Sequence, residues 1–225
     1  MNVNADLGEG AGADDAILAC VDSANIACGA HAGSISIAIA TAWRCRERGV
    51  EVGAHPSYED RAGFGRVERS LSPREIEALV GFQVGGLAAV APIAYLKPHG
   101  ALYHRCQEDA ATADVVAAVA ARHGIGVVCQ EGFELAAAAT RAGVPVYREG
   151  FADRLLLPDG SLAPRSRPDA VLHPDQAAAQ ALKLARSGRF DTICVHGDTA
   201  GAAAVASAVR QALNDGGIAT GPLRP

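Results

Sequence analysis

The sequence predicts an α/β fold, a closed parallel (β/α) barrel occupying residues 1–225 as one domain, and three observations carry this expectation. Short apolar runs alternate with amphipathic or alanine-rich segments, the order that builds βα units and a parallel sheet. Seven such units fill the 225 residues at roughly 32 apiece. Polar residues collect just past the apolar runs, and barrel enzymes gather their chemistry at the carboxyl ends of the strands. A doubly wound open sheet fits the same length. The placement of the polar residues favours closure.

The first strand is expected over Asn2 to Leu7, where the two-residue period puts Asn4 and Asp6 on one side. A short helix, Asp14 to Val21, leads to the second strand, Ser23 to Cys28. Ser34 can cap a helix from Ile35 to Arg48 that stops at Gly49. After a third strand, Val50 to Ala54, Ser72-Pro73-Arg74-Glu75 is a capping box with proline at the first helical position. Further strands fall at Ile93 to Lys97, Gly126 to Cys129, Val144 to Arg148 and Thr192 to Val195. Helices fill Asp109 to Arg122, Phe133 to Arg141, Asp175 to Arg186 and Thr199 to Asn214.

Composition narrows the function classes. A net charge of -5 argues against a nucleic-acid or membrane-surface partner. The most apolar stretch, Val80 to Leu96, is broken by Gln83, two glycines and Pro92, so no membrane span is expected. The chain opens without a basic and apolar leader. Its six cysteines form no C-x-x-C pair and read as reduced, buried and structural, which points to the cytoplasm.

Just past the strands stand Asp6 and Glu9, His31, His55, Lys97 with His99, Glu131, Glu149 with Asp153, and His196 with Asp198. Four of the seven histidines thus occupy equivalent points in different units, which suggests one shared polar site. Lys97 adds to it. The chain has 18 Arg and only 2 Lys, so a lysine closing an apolar run suggests a compact ammonium aimed into a pocket. Two carboxylates among imidazoles can do acid/base work or hold a divalent cation. No H-E-x-x-H or similar compact spacing occurs, so acid/base work is preferred. Long loops at Pro56 to Ser72 and Gly150 to Pro174 carry Arg61, Arg66, Arg154 and Arg165, which can clamp a carboxylate or phosphate. Gly197 to Gly201 can offer backbone N–H groups to an anion, but neither G-x-x-x-x-G-K-[ST] nor an opening G-x-G-x-x-G is present.

Several motifs recur together and in order: Asn4-Ala5-Asp6-Leu7-Gly8-Glu9-Gly10, Ser23-Ala24-Asn25-Ile26-Ala27-Cys28-Gly29 with His31-Ala32-Gly33, Gly53-Ala54-His55-Pro56-Ser57, and Lys97-Pro98-His99-Gly100 with Leu102-Tyr103. Phe151-Ala152-Asp153-Arg154, Asp159-Gly160-Ser161-Leu162 and His196-Gly197-Asp198 complete the series. Over residues 2 to about 215 the chain resembles the LamB/YcsF family. The resemblance implies an irregular seven-stranded barrel similar to polysaccharide deacetylases. It implies ATP-dependent hydrolysis of 5-oxo-L-proline to L-glutamate together with 5-oxoprolinase subunits B and C, and leaves self-association open. Two departures are Ala30, where family members carry a bulky aromatic, and a shorter segment before Thr192.

On that reading Asp6 or Glu9 with His31 or His55 activates water, Lys97 and His99 stabilise the oxyanion, and His196 and Asp198 complete the acid/base set or receive the phosphate. Arg154, steadied by Asp153, is expected to grip the substrate carboxylate, with Asn4, Asn25, Arg61, Arg66 and Tyr103 on the binding side. Two alternatives stand beside it. One is a metal-dependent deacetylase of N-acyl sugars with an ion among Asp6, His31, His55 and His99; the other is a non-catalytic lactam- or carbohydrate-binding protein.

Overall fold

Seven parallel strands close on themselves in chain order in the computed structural model, which describes residues 1–157 and 161–223. They are β1 (Asn2–Leu7), β2 (Ser23–Ala27), β3 (Glu51–His55), β4 (Tyr95–Leu96), β5 (Gly126–Cys129), β6 (Val146–Phe151) and β7 (Thr192–His196). Closure is made by β1 against β7, with Asn4 opposite Cys194 and Asp6 opposite His196. The barrel expectation therefore holds and the open sheet does not.

Around the barrel lie α1 (Asp14–Leu18), α2 (Ile35–Arg48), α3 (Pro73–Ala88), α4 (Gly100–Glu108), α5 (Ala110–His123), α6 (Glu134–Arg141), α7 (Pro174–Ser187) and α8 (Ala202–Asp215). The local signals act as read. The Ser34 hydroxyl accepts from Ile37 N and Gly49 takes the left-handed conformation, while Ser72 and Glu75 form both halves of the capping box. The outer faces of the strands and the inner faces of the helices form one apolar layer that includes Val3, Leu7, Ile26, Leu96 and Ile193. No helix among the described residues is long and apolar enough to cross a membrane. All six cysteines are free thiols; Cys20 and Cys28 are only partly buried, contrary to expectation.

Several boundaries shift. Helix α4 was not anticipated: it begins at Gly100 and has no side-chain cap at His99, so it lacks the usual start signal. Strand β4 is short because Pro98 ends it, although Ala94 N and Lys97 N still bond the carbonyls of Val52 and Ala54. Strand β6 starts later than expected and runs through Phe151, so Glu149 belongs to the sheet rather than to a loop. The Asp159-Gly160 part of the sixth motif lies outside the described residues.

The interior of the barrel is polar. Asn2 Oδ1 accepts from Ser23 Oγ and Thr192 Oγ1, Asn4 Nδ2 donates to Thr192 Oγ1, and Asn25 Nδ2 donates to Asn4 Oδ1. Tyr95 Oη donates to Asn25 Oδ1 at 2.7 Å and ties this ladder to β4, two strands on from β2. Each side chain of this ladder is thereby matched with a partner. Gly53 makes room for the Tyr95 ring, whose Cε2 would collide with a Cβ at residue 53. Gly53→Ala should therefore destabilise the fold by about 1–3 kcal/mol, read as a lower urea midpoint; an unchanged midpoint would count against this packing.

The amino-terminal end of the barrel is closed by the last described residues. Gly221 N donates to Met1 O, Asn2 Nδ2 to Gly221 O, and Leu223 N to Glu51 Oε2, while Leu223 packs on Tyr95, Val128 and Tyr147.

Candidate active site

At the opposite end, β1, β4, β6 and β7 each send one side chain into a buried charge network. Lys97 Nζ lies 3.2 Å from Asp6 Oδ1, 2.7 Å from Glu149 Oε1 and 3.1 Å from Cys194 Sγ. The lysine side chain is only 3% exposed. Burial alone would disfavour its ammonium, but Asp6, Cys194 and Glu149 hold its pKa well above the ordinary value. Burial likewise raises the Asp6 carboxyl, and the charges that His55 carries when protonated and that Lys97 carries more than reverse that, leaving it well below the carboxylate range. Both groups are therefore ionised at neutral pH.

Asp6 faces two imidazoles through its other oxygen, His55 Nε2 at 3.5 Å and His196 Nε2 at 3.8 Å. His196 is oriented from behind. Asp153 accepts from the His196 backbone N at 2.8 Å and lies 3.0 Å from its Nδ1. A carboxylate only accepts, so Nδ1 carries the proton and Nε2 presents its lone pair toward Asp6 and the cavity. The His196 ring also stacks on Phe151, with centroids 5.9 Å apart.

A second cluster lies beside the first, where the exits of β1, β2, β3 and β4 meet. Gly33 N donates to Glu9 O, and a Cβ on Gly33 would run into Gly8 O. With φ +63° as well, only glycine suits this crossing, which brings Glu9 to His31. Glu9 Oε1 is 3.3 Å from His31 Nε2 and 3.8 Å from His99 Nδ1. The His31 and His99 rings stack at 4.0 Å, and His99 Nδ1 stands 3.0 Å from His55 Nε2. Burial, then the charge that His55 would carry when protonated, pushes His31 down to about 3 and His99 well below its usual value. Burial, then the charges of Asp6 and Asp198, drives the Glu9 carboxyl well up. Among the described residues two groups could hold a metal ion: this quartet, and Asp6 with Cys194 and His196.

A cavity of about 240 Å³ opens above both clusters. Tyr103 lines it and donates to Glu149 Oε2 at 3.3 Å. At the rim Asp198 is gripped by Arg66 at 2.5 Å and by Arg165 at 3.2 Å.

Several expected binding residues do other work. Asn4 is fully buried in the ladder below the site. Asn25 donates to Asp6 Oδ1 at 2.7 Å and so positions that carboxylate from beneath. Arg61 bonds the carbonyls of Gly29 and Gly33 and braces the β2 exit. Arg154 lines the cavity, but its guanidinium bonds the carbonyls of Ala163 and Ala170, and Asp153 turns to His196 instead. Carbonyls along its own loop attract the guanidinium at hydrogen-bond range, where Asp153 is already engaged. Glu149 and Cys194 had no assigned role. Their signal was the two-residue period: Glu149 shares a side with Tyr147 and Phe151, and Cys194 with Thr192 and His196.

A closed α/β barrel with acids, imidazoles and a buried lysine at the carboxyl ends of its strands defines a class of barrel proteins built for polar chemistry on a small ligand. Its fold is shared with the structure "T48 deacetylase with substrate", at a TM-score of 0.56 and 13% identity over 97% of this chain and 85% of that one. Residues 1–225 match the LamB/YcsF family, and the chain belongs to it. It is 42% identical to the 5-oxoprolinase A subunit of Neisseria meningitidis serogroup C (strain 053442) over 238 residues, covering 97% of each chain. It also matches the lactam utilization protein of Thermus thermophilus, at a TM-score of 0.89 and 37% identity over 98% of each chain.

Proposed function

We propose that this chain, one barrel domain over residues 1–225, is the lactam-opening subunit of a 5-oxoprolinase. Working with subunits B and C, the complex converts 5-oxo-L-proline, water and ATP to L-glutamate, ADP and phosphate. The observation that carries the reading is the buried Asp6–Lys97–Glu149 network beside an Asp153-oriented His196, beneath a small cavity in a chain of this family.

An unstrained lactam resists water because amide resonance keeps its carbonyl carbon weakly electrophilic. Phosphorylation of the lactam oxygen removes that resonance, which is the chemical reason for an ATP requirement. The nucleotide itself does not suit this cavity: 240 Å³ lies below the ~300–1,000 Å³ of ordinary ligand pockets, and the sequence holds no P-loop. A five-membered lactam is small enough. Nucleotide handling is therefore assigned to the partner subunits, and no step here is routed through it.

Within the barrel, His196 Nε2 accepts a proton from the attacking water while Asp6 stabilises the imidazolium. The Lys97 ammonium supplies positive charge beside the oxygens of the tetrahedral carbon, where negative charge collects, a contribution of several kcal/mol in a water-poor site. The protonated imidazole then delivers its proton to the departing ring nitrogen, giving the amine of a γ-glutamyl phosphate, and a second water cleaves that acyl phosphate to glutamate and phosphate. Free thiols and the ATP requirement support a cytoplasmic setting for the complex.

The test is glutamate release from 5-oxoproline, with and without ATP and the partner subunits. Release is expected only when all are present. Acetate release from an N-acetylated sugar without ATP would replace this reading with the deacetylase alternative.

A further inference from the structure

We propose that Glu9, His31, His55 and His99 form a binding site for one divalent transition-metal cation of the zinc class. Counting protons carries the inference, and it holds whichever bond the barrel cleaves.

His55 Nδ1 lies 2.7 Å from Lys97 O, and His99 Nε2 lies 2.8 Å from Phe64 O. A carbonyl oxygen can only accept, so both of these nitrogens must donate. In neutral rings the remaining nitrogens, His55 Nε2 and His99 Nδ1, then carry lone pairs only. They face each other at 3.0 Å. Two lone pairs at that distance repel unless something positive lies between or beside them. Two ring nitrogens each about 2.0–2.1 Å from one tetrahedral zinc ion stand roughly 3.3–3.4 Å apart, a few tenths of an ångström more than the spacing observed.

Two further buried atoms point the same way. Among the described residues, Glu9 Oε2 and His31 Nδ1 have no hydrogen-bonding partner, although their side chains are 3% and 0% exposed. Orphaned polar atoms at this depth are costly and call for a partner. The four residues bring donor atoms within 4.8 Å of one another. Neutral imidazoles with one carboxylate are the donor set that zinc and its neighbours favour. The backbone carbonyls behind His55 and His99 supply the outer hydrogen bonds that orient metal-bound imidazoles.

The other candidate group, Asp6 with Cys194 and His196, is filled differently. The Lys97 ammonium lies 3.2 Å from Asp6 Oδ1 and 3.1 Å from Cys194 Sγ, so positive charge is already built into that place. When bound at the quartet, a divalent ion would supply Lewis acidity at the cavity floor.

The test is metal binding by the purified chain, stripped with a chelator and titrated with Zn²⁺ by calorimetry, then with Co²⁺ by visible absorption. One equivalent is expected. His55→Ala and His99→Ala should each weaken binding by about a hundredfold or more, with circular dichroism confirming the fold. His196→Ala should leave it unchanged, which separates the quartet from the other group. Should the histidine variants fail to fold, the wild-type Co²⁺ form still decides the matter. Proton NMR should then show paramagnetically shifted N–H signals from His55 Nδ1 and His99 Nε2. Absence of Zn²⁺ uptake, or uptake lost in His196→Ala but kept in His99→Ala, would overturn the site. So would a proton bridging His55 and His99 that persists with Zn²⁺ in excess.

Discussion

Lys97→Met should lower turnover of 5-oxoproline by about a hundredfold or more and also cost about 3–5 kcal/mol of stability. The ammonium neutralises two buried carboxylates, Asp6 and Glu149, from the end of β4. Methionine fills similar space but leaves both carboxylates buried without that charge. On the proposed function, turnover would lose the positive charge set beside the reacting oxygens. The stability loss would appear in full at neutral pH. Asp6 has a depressed pKa, so its contribution is present above the ordinary carboxylate range and is lost as acid protonates it. Lys97 has a raised pKa, so its contribution is present below the ordinary ammonium range and disappears only in strong alkali. Urea unfolding and steady-state kinetics of the reconstituted complex would measure the two effects. Turnover equal to wild type would remove Lys97 from the chemistry.

Asp6→Asn should also cost about a hundredfold or more in turnover, but with a much smaller change in stability. The shape is kept and Lys97 retains Glu149 as its counter-ion. What disappears is the negative charge 3.8 Å from His196 Nε2, on which the proposed proton transfer from water depends. The loss should fall on kcat rather than KM, because Asp6 sits on the cavity floor and acts on charge that develops during reaction. Unchanged kcat with a raised KM would make Asp6 a binding group instead. Measured together, the two variants separate a charge needed for chemistry from a charge needed for folding.

Much of this was readable in the residues. The strand limits of β1 and β5 match expectation residue for residue, because uninterrupted apolar or alternating runs end there at clear turn residues. The convergence of His31, His55, His99, Lys97 and His196 followed from their equivalent positions past successive strands. The scarcity of lysine singled out Lys97 before any distance was known. Glu149 was harder, since a carboxylate inside a strand reads like a loop residue until the barrel's inner face is known. The loop arginines were harder still. Whether Arg61 and Arg154 grip a ligand or brace their own backbone depends on the path of a loop, and local sequence does not encode that path. Asp153 shows the same limit: its nearest neighbour in the chain is Arg154, yet its partner is 43 residues away at His196.

The side-chain ladder inside the barrel, capped by the stopper at the amino-terminal end, makes it a cup rather than a pipe. Met1, Asn2 and Glu51 are laced to Gly221 and Leu223 there, and the chemistry stands at the other rim. On the proposed function, 5-oxoproline and glutamate then share one doorway. Each glutamate must clear it before the next lactam enters. A companion subunit that hands over an activated substrate must do so across the same rim, where Arg66, Arg165 and Asp198 stand. Traffic through that opening, and not only the bond being cut, would then set the pace of the assembled complex.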